Sequence, residues 1–164
     1  EDFNSNVYPM QLLLKTVSQN EKKPYVVFAG SVTQCGIKTK LPVGESVNDN
    51  PSTIYDLHKL MAESYLMFYI NRNLVNGACL RLSNVYGPGP KSSNDDRGVL
   101  NSMVRKALQK EKLTIYGTGD FIRDYIFIDD VVNAFLACPC HLKRTNGNHY
   151  IVGSGKGYSV KRSH

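Results

Sequence analysis

The stretch YVVFAGSVTQCG (residues 25–36) decides how the chain is read. Its first six residues form a short apolar run rich in β-branched and aromatic side chains. Without a polar alternation, such a run suits a central strand covered on both faces. Ser31 follows at the carboxyl end of that strand, where open parallel α/β sheets place their ligands. A hydroxyl there can hold a substrate oxygen, although a turn serine satisfying its own backbone is the plainer reading.

Outward from this strand, helices and strands alternate. Upstream, NVYPMQLLLKTVSQN (6–20) has helical apolar spacing, with Pro9 acceptable in a first turn. Downstream, Lys38 to Pro51 reads as a loop. Pro51-Ser52-Thr53 opens a helix with Ser52 or Thr53 as N-cap, running to about Asn73 and stopped by Asn76-Gly77. ACLRLSNVYG (78–87) is a second buried strand, ending in Gly-Pro-Gly-Pro and a polar loop at 91–98. Val99 to Gln109 is a helix with Val99, Met103 and Ala107 on one side. LTIYG (113–117) is a strand, residues 117–120 a tight turn, and DYIFI (124–128) a strand leading into a helix begun by Asp129 or Asp130. HYIVG (149–153) is the last strand. The order predicts βα units on a parallel sheet. No strand precedes the first helix, and Ser159 to Arg162 reads as the first turn of a helix that does not develop. Both ends are therefore expected to be cut.

Composition narrows the function. The 164 residues suffice for one domain with a real core. The net charge of +6 suggests an anionic ligand, but the basic residues are scattered. That points to a phosphorylated small molecule and away from nucleic acid. No window matches a membrane span or a secretion signal, so a cytoplasmic location is expected. Cys35, Cys79, Cys138 and Cys140 lack zinc spacing, His141 stands alone beside the last pair, and no metal site is expected.

Within TIYDLHKLMAES (53–64), Tyr55 and Lys59 lie four residues apart and so share one helix face. A nearby ammonium favours phenolate, which would lower the tyrosine pKa toward a range useful for proton transfer. Two solvated side chains would give the same spacing.

Taken together, the strand ending in Ser31, Tyr55-xxx-Lys59, LRLSNVYGPG (80–89) and LTIYGTGDFIRDYIFIDDVVNAFLA (113–137) resemble the extended short-chain dehydrogenase/reductase family, in particular its NAD-dependent sugar-nucleotide epimerases and dehydratases. The resemblance runs from about Asn4 to Ser159. It implies an α/β fold, a Rossmann-type doubly wound parallel sheet, with part of a small substrate-binding lobe at about 88–123 and 139–164. The whole of 1–164 would be a single truncated domain.

It also implies roles. Tyr55 would transfer the proton, Lys59 would hold the nicotinamide ribose and lower the tyrosine pKa, and Ser31 would bind the reacting hydroxyl. Val85, with Tyr86, would lie near the nicotinamide end. Asn84, Val99, Tyr116 and Arg123 would bind substrate, Arg123 clamping the diphosphate with its planar fork. Turn capping by Asn84, and a surface pairing of Arg123 with Asp120 or Asp124, are the competing readings. Asp130 reads as an N-cap.

The implied cofactor is NAD, with NADP as the alternative. The implied partners are a nucleotide-sugar substrate and a second copy of the chain, joined through the helices at 6–20 and 52–73.

Two departures from the family pattern matter. Its opening strand and glycine-rich dinucleotide turn have no counterpart in residues 1–30, and Gly153-Ser154-Gly155-Lys156-Gly157 lies at the wrong end to replace them. Val32-Thr33 stand where sugar dehydratases carry Asp-Glu, which leaves epimerase or reductase chemistry. An inactive fragment is the third reading.

Overall fold

The computed structural model describes residues 2–37, 41–88, 99–114 and 119–159. In chain order the elements are α1 (Asp2–Val17), β1 (Tyr25–Ser31), a 3-10 turn (Val32–Cys35), α2 (Ile54–Asn71), β2 (Asn76–Leu82), β3 (Asn84–Tyr86), α3 (Val99–Leu108), β4 (Ile122–Phe127), α4 (Ile128–Cys140), α5 (Leu142–Thr145), β5 (His149–Val152) and β6 (Gly157–Ser159). They form two compact units, Glu1–Leu82 with Asn133–Val152, and Ser83–Val132 with Gly153–His164.

The first unit is built on a parallel sheet of order β1-β2-β5. β2 is its central strand and is buried through five successive residues, as an apolar run without alternation requires. One face packs Phe28 and Cys79 against Met10 and Leu14 of α1 and Ala62, Leu66 and Ile70 of α2. The other packs Ala78 and Leu80 against Ala134, Phe135 and Cys138. Leu14 and Leu66 are fully buried, each stabilising the fold by about 1.5–3 kcal/mol relative to exposure. The result is the doubly wound α/β layering expected from the sequence.

Pro9 corrects one expectation, since it lies inside α1 instead of in its first turn. The lost backbone hydrogen bond is offset by burying Val7, Met10 and Leu14 on one face. α2 begins where expected. The Thr53 side chain accepts from Asp56 N (3.1 Å), and the Asp56 carboxylate accepts from Thr53 N (3.0 Å). It ends at Asn71, and the stop comes from Asn73, in a left-handed conformation (φ 59), ahead of Asn76-Gly77.

The second unit carries a separate sheet of order β3-β4-β6. Residues 78–87, expected as one strand, are two. β2 runs out of partner at the Ser31↔Leu82 register, and Asn84–Tyr86 pair with Tyr125–Phe127 of β4 instead. β4 starts two residues earlier than expected, and Ile128 already belongs to α4. Asp130 is the third residue of α4 and not its N-cap. With Asp129 it lies in the first turn, where carboxylates complement the helix dipole. Ser159, expected to open a helix, ends the antiparallel strand β6, where it pairs with Ile122. Leu113 and Thr114 have no regular structure. The rest of that expected strand, the loop at 91–98 and residues 160–162 lie outside the described residues. Among the described residues no helix is long and apolar enough to cross a membrane.

Candidate active site at the end of the first strand

Ser31 is the last residue of β1 and is 8% exposed. The chain turns there through the 3-10 turn, whose capping box Ser31 heads. Its hydroxyl accepts from Thr33 N (3.3 Å) and lies 2.8 Å from Thr33 Oγ1. Thr53 caps α2 and thereby fixes the direction of its first turn, so Tyr55 reaches back to the end of β1, near enough for the Ser31 hydroxyl to favour its phenolate. Lys59, one turn on, donates to Ala29 O (3.0 Å), with its ammonium 5.8 Å from the centre of the Tyr55 ring and 5.2 Å from that of Phe28. Ser31, Tyr55 and Lys59 are thus brought together.

The electrostatics differ from the expectation that Lys59 lowers the Tyr55 pKa. Burial pushes the phenol up, the Ser31 hydrogen bond pulls it down, and Asp2 and Asp56 push it up further, leaving it raised. The ammonium is directed at the Ala29 carbonyl. Burial depresses Lys59 itself, with Cys79 and Asp2 opposing.

Beneath these three lies a buried polar cluster that was not anticipated from the sequence. Arg81, 2% exposed, donates to Glu63 through Nε (3.0 Å) and Nη2 (2.7 Å) and to both oxygens of Asp49 (2.7 and 2.9 Å). Glu63 also accepts from Gln34 Nε2 (2.7 Å) and Cys79 Sγ (3.1 Å). Burial opposes its charge, yet the bonds from Arg81, Cys79 and Gln34 hold its carboxyl below the ordinary range. Burial, reinforced by Glu63, pushes the Cys79 thiol far up, so it stays protonated. Two signals were available in the sequence: a lone arginine inside the apolar ACLRL, and Glu63 continuing the four-residue spacing of Tyr55 and Lys59.

Of the remaining predicted site residues, Asn84, Val85, Val99 and Arg123 belong to the second unit. Asn84, exposed on β3, donates to Asp124 O (3.1 Å), and Val85 pairs with Ile126. Arg123, exposed on β4, donates to Ile122 O (3.2 Å) and stacks 5.7 Å from the Phe121 ring centre. Val99 opens α3, and Tyr116 lies outside the described residues. The glycine-rich turn at 153–157 wraps one of the chain's own carboxylates. Asp124 accepts from Ser154 N (2.8 Å), Ser154 Oγ (2.7 Å) and Gly155 N (2.9 Å). Lys156 N donates to Ser154 Oγ (3.2 Å), so the backbone donors at 154–156 are engaged within the chain, which favours a structural turn.

The donor chemistry at the end of β1 fits the ribose and nicotinamide end of a dinucleotide. The Ala29 carbonyl takes one of the three Lys59 N–H bonds, so the ammonium retains donors for a diol, and half-exposed Tyr55 stands beside it. A doubly wound sheet with serine, tyrosine and lysine gathered at a strand's carboxyl end has the layout of a short-chain dehydrogenase/reductase. Residues 1–153 match the NAD dependent epimerase/dehydratase family, and the chain belongs to that family.

Among its relatives, UDP-glucose 4-epimerase of Halalkalibacterium halodurans is 29% identical over 174 residues, covering 98% of this chain and 52% of that protein. dTDP-4-dehydro-6-deoxyglucose reductase of Escherichia coli is 29% identical over 99% of this chain and 50% of its own length. The crystal structure of UDP-glucose 4-epimerase from Thermotoga maritima with UDP-glucose superposes with a TM-score of 0.86 at 27% identity, over 98% of this chain and 51% of that one. The chain spans about half the length of the curated relatives it matches.

Proposed function

We propose that this chain carries the proton-transfer half of an NAD-dependent nucleotide-sugar epimerase, with UDP-glucose and UDP-galactose as the leading substrate pair. The observation that carries this reading is the Ser31–Tyr55–Lys59 arrangement. NAD supplies the hydride acceptor and donor. Tyr55 Oη takes the proton of a sugar hydroxyl as that carbon loses hydride, Ser31 holds the oxygen of the keto sugar, and Lys59 binds the ribose diol. After the keto sugar is turned over, Tyr55 returns the proton and the opposite configuration results. Proximity and a preorganised proton donor supply most of the catalysis.

Asn84, Val99, Tyr116 and Arg123 form the proposed substrate set, Arg123 meeting the diphosphate, and Val85 is assigned to the nicotinamide end. Val32 and Thr33 offer no acid–base pair for dehydration, which favours epimerase over dehydratase. The match to the reductase over 99% of this chain supports a second reading, NADP-dependent reduction of a keto sugar. We also assign a homodimer through α1 and α2, whose exposed Tyr8, Leu12 and Phe68 (49%, 47% and 51%) suit a partner surface.

The test uses the full-length protein with UDP-glucose, followed by NMR. UDP-galactose formed with catalytic NAD supports epimerisation. A requirement for stoichiometric NADPH and a keto-sugar substrate supports the reductase, and no turnover in either assay overturns both.

A further inference from the structure

Gln34 is fully buried, so its amide must find partners inside the fold. Glu63, charged and only able to accept, must face the NH2 of that amide, 2.7 Å away. The other end, Oε1, is then obliged to face the backbone N–H of Ser31, from which it accepts at 2.7 Å. The orientation is thus dictated by a carboxylate that Arg81 grips twice, and Arg81 is gripped by Asp49 in turn. The space is tight on every side. A Cβ on Gly30 would lie 2.6 Å from Cys79 Sγ and 2.9 Å from Gln34 Oε1, so only glycine lets the strand approach this cluster.

We propose that Gln34 is a positioning residue, transmitting the fixed orientation of the buried Arg81–Glu63 pair to the backbone of Ser31 and so holding the Ser31 hydroxyl against Tyr55. The proposal rests on the functional reading above only in giving Ser31 and Tyr55 their chemical roles. The chain of contacts itself, Asp49 to Arg81 to Glu63 to Gln34 to Ser31, lies wholly within the first unit. Each link is charge-assisted or buried, so displacement at one end is not absorbed by solvent. A neutral apolar residue at position 34 would fill space but break the last two links.

The experiment compares Gln34→Leu and Gln34→Glu in Ser31 and Ser31→Ala backgrounds of the full-length protein. Exchange of the Ser31 amide and titration of the Tyr55 ring are followed by NMR beside steady-state kinetics. In Gln34→Leu the Ser31 amide should exchange about tenfold faster than in the parent, with Val27 unchanged. Tyr55 should titrate at higher pH, because the Ser31 bond that lowers it is loosened. Turnover should fall about 10- to 100-fold with sugar-nucleotide affinity unchanged, and the loss should vanish in the Ser31→Ala background.

Gln34→Glu keeps the shape and serves if Gln34→Leu does not fold. One proton shared between its carboxyl and Glu63 restores the donor, so turnover relative to the parent should be near unity in acid and decline as pH rises. Unchanged Ser31 exchange and Tyr55 titration in Gln34→Leu, an equal kinetic loss in both backgrounds, or a Gln34→Glu profile parallel to the parent's would overturn the proposal. Predicted NMR changes in a protein without NAD-dependent turnover would sustain the positioning role and overturn the functional reading instead.

Discussion

Tyr55 is held protonated across the neutral range because burial outweighs the one bond, from Ser31, that favours its phenolate. Proton removal from substrate by this residue therefore needs the phenolate and should strengthen as pH rises. Ser31→Ala deletes the bond that lowers the phenol, so the alkaline-rising limb of kcat/KM for sugar oxidation should move to higher pH. A limb that stays in place would separate Ser31 from the proton-transfer step. Arg123→Ala should raise KM for a diphosphate sugar with kcat little changed, and an unaltered KM would make Arg123 a surface residue stacked on Phe121. At this scale Tyr55, Lys59 and Ser31 were legible because helical spacing and strand ends announce themselves. Gln34 and Arg81 were not, since Glu63 lies 29 residues from Gln34 and Asp49 32 residues from Arg81 in sequence, and only the fold brings them together.

Among the elements, α2 matters most because its cap aims Tyr55. Thr53→Ala removes the acceptor for Asp56 N and should cost about 1 kcal/mol, read as a lowered urea midpoint with an unchanged slope. A larger share of the effect should appear as lost turnover if the first turn frays. Asp124→Ala should loosen the 153–157 turn and lower thermal stability without creating affinity for phosphate; phosphate binding gained or lost by this variant would refute the structural reading of the turn. The strands of the first unit were legible from their apolar runs. β3 and β6, of three residues each, were not. Their pairing with β4 is set by register across long sequence separations, and the pattern Asn84-Val85-Tyr86 continues the preceding strand without a break.

For the whole molecule, the buried Arg81 cluster ties the core to acid stability. Glu63 has a folded pKa below its unfolded one. It therefore contributes stability that is present above the ordinary carboxylate range and is lost as pH falls through the folded value. Glu63→Gln should flatten that acid limb while lowering stability at neutral pH by about 3 kcal/mol, the low end for a broken buried pair because Asp49 still meets Arg81. Calorimetry across the acid range checks both.

The wider architecture and the family were legible because the motifs at 55–59, 80–89 and 113–137 keep their order along the chain. The active-site claim is sharper than the fold and is tested most directly by turnover of Tyr55→Phe in the full-length protein. The account predicts a fall in kcat of about 10²- to 10⁴-fold, the contribution of one positioned proton-transfer group, with nucleotide-sugar affinity unchanged. Turnover that survives the substitution would contradict it.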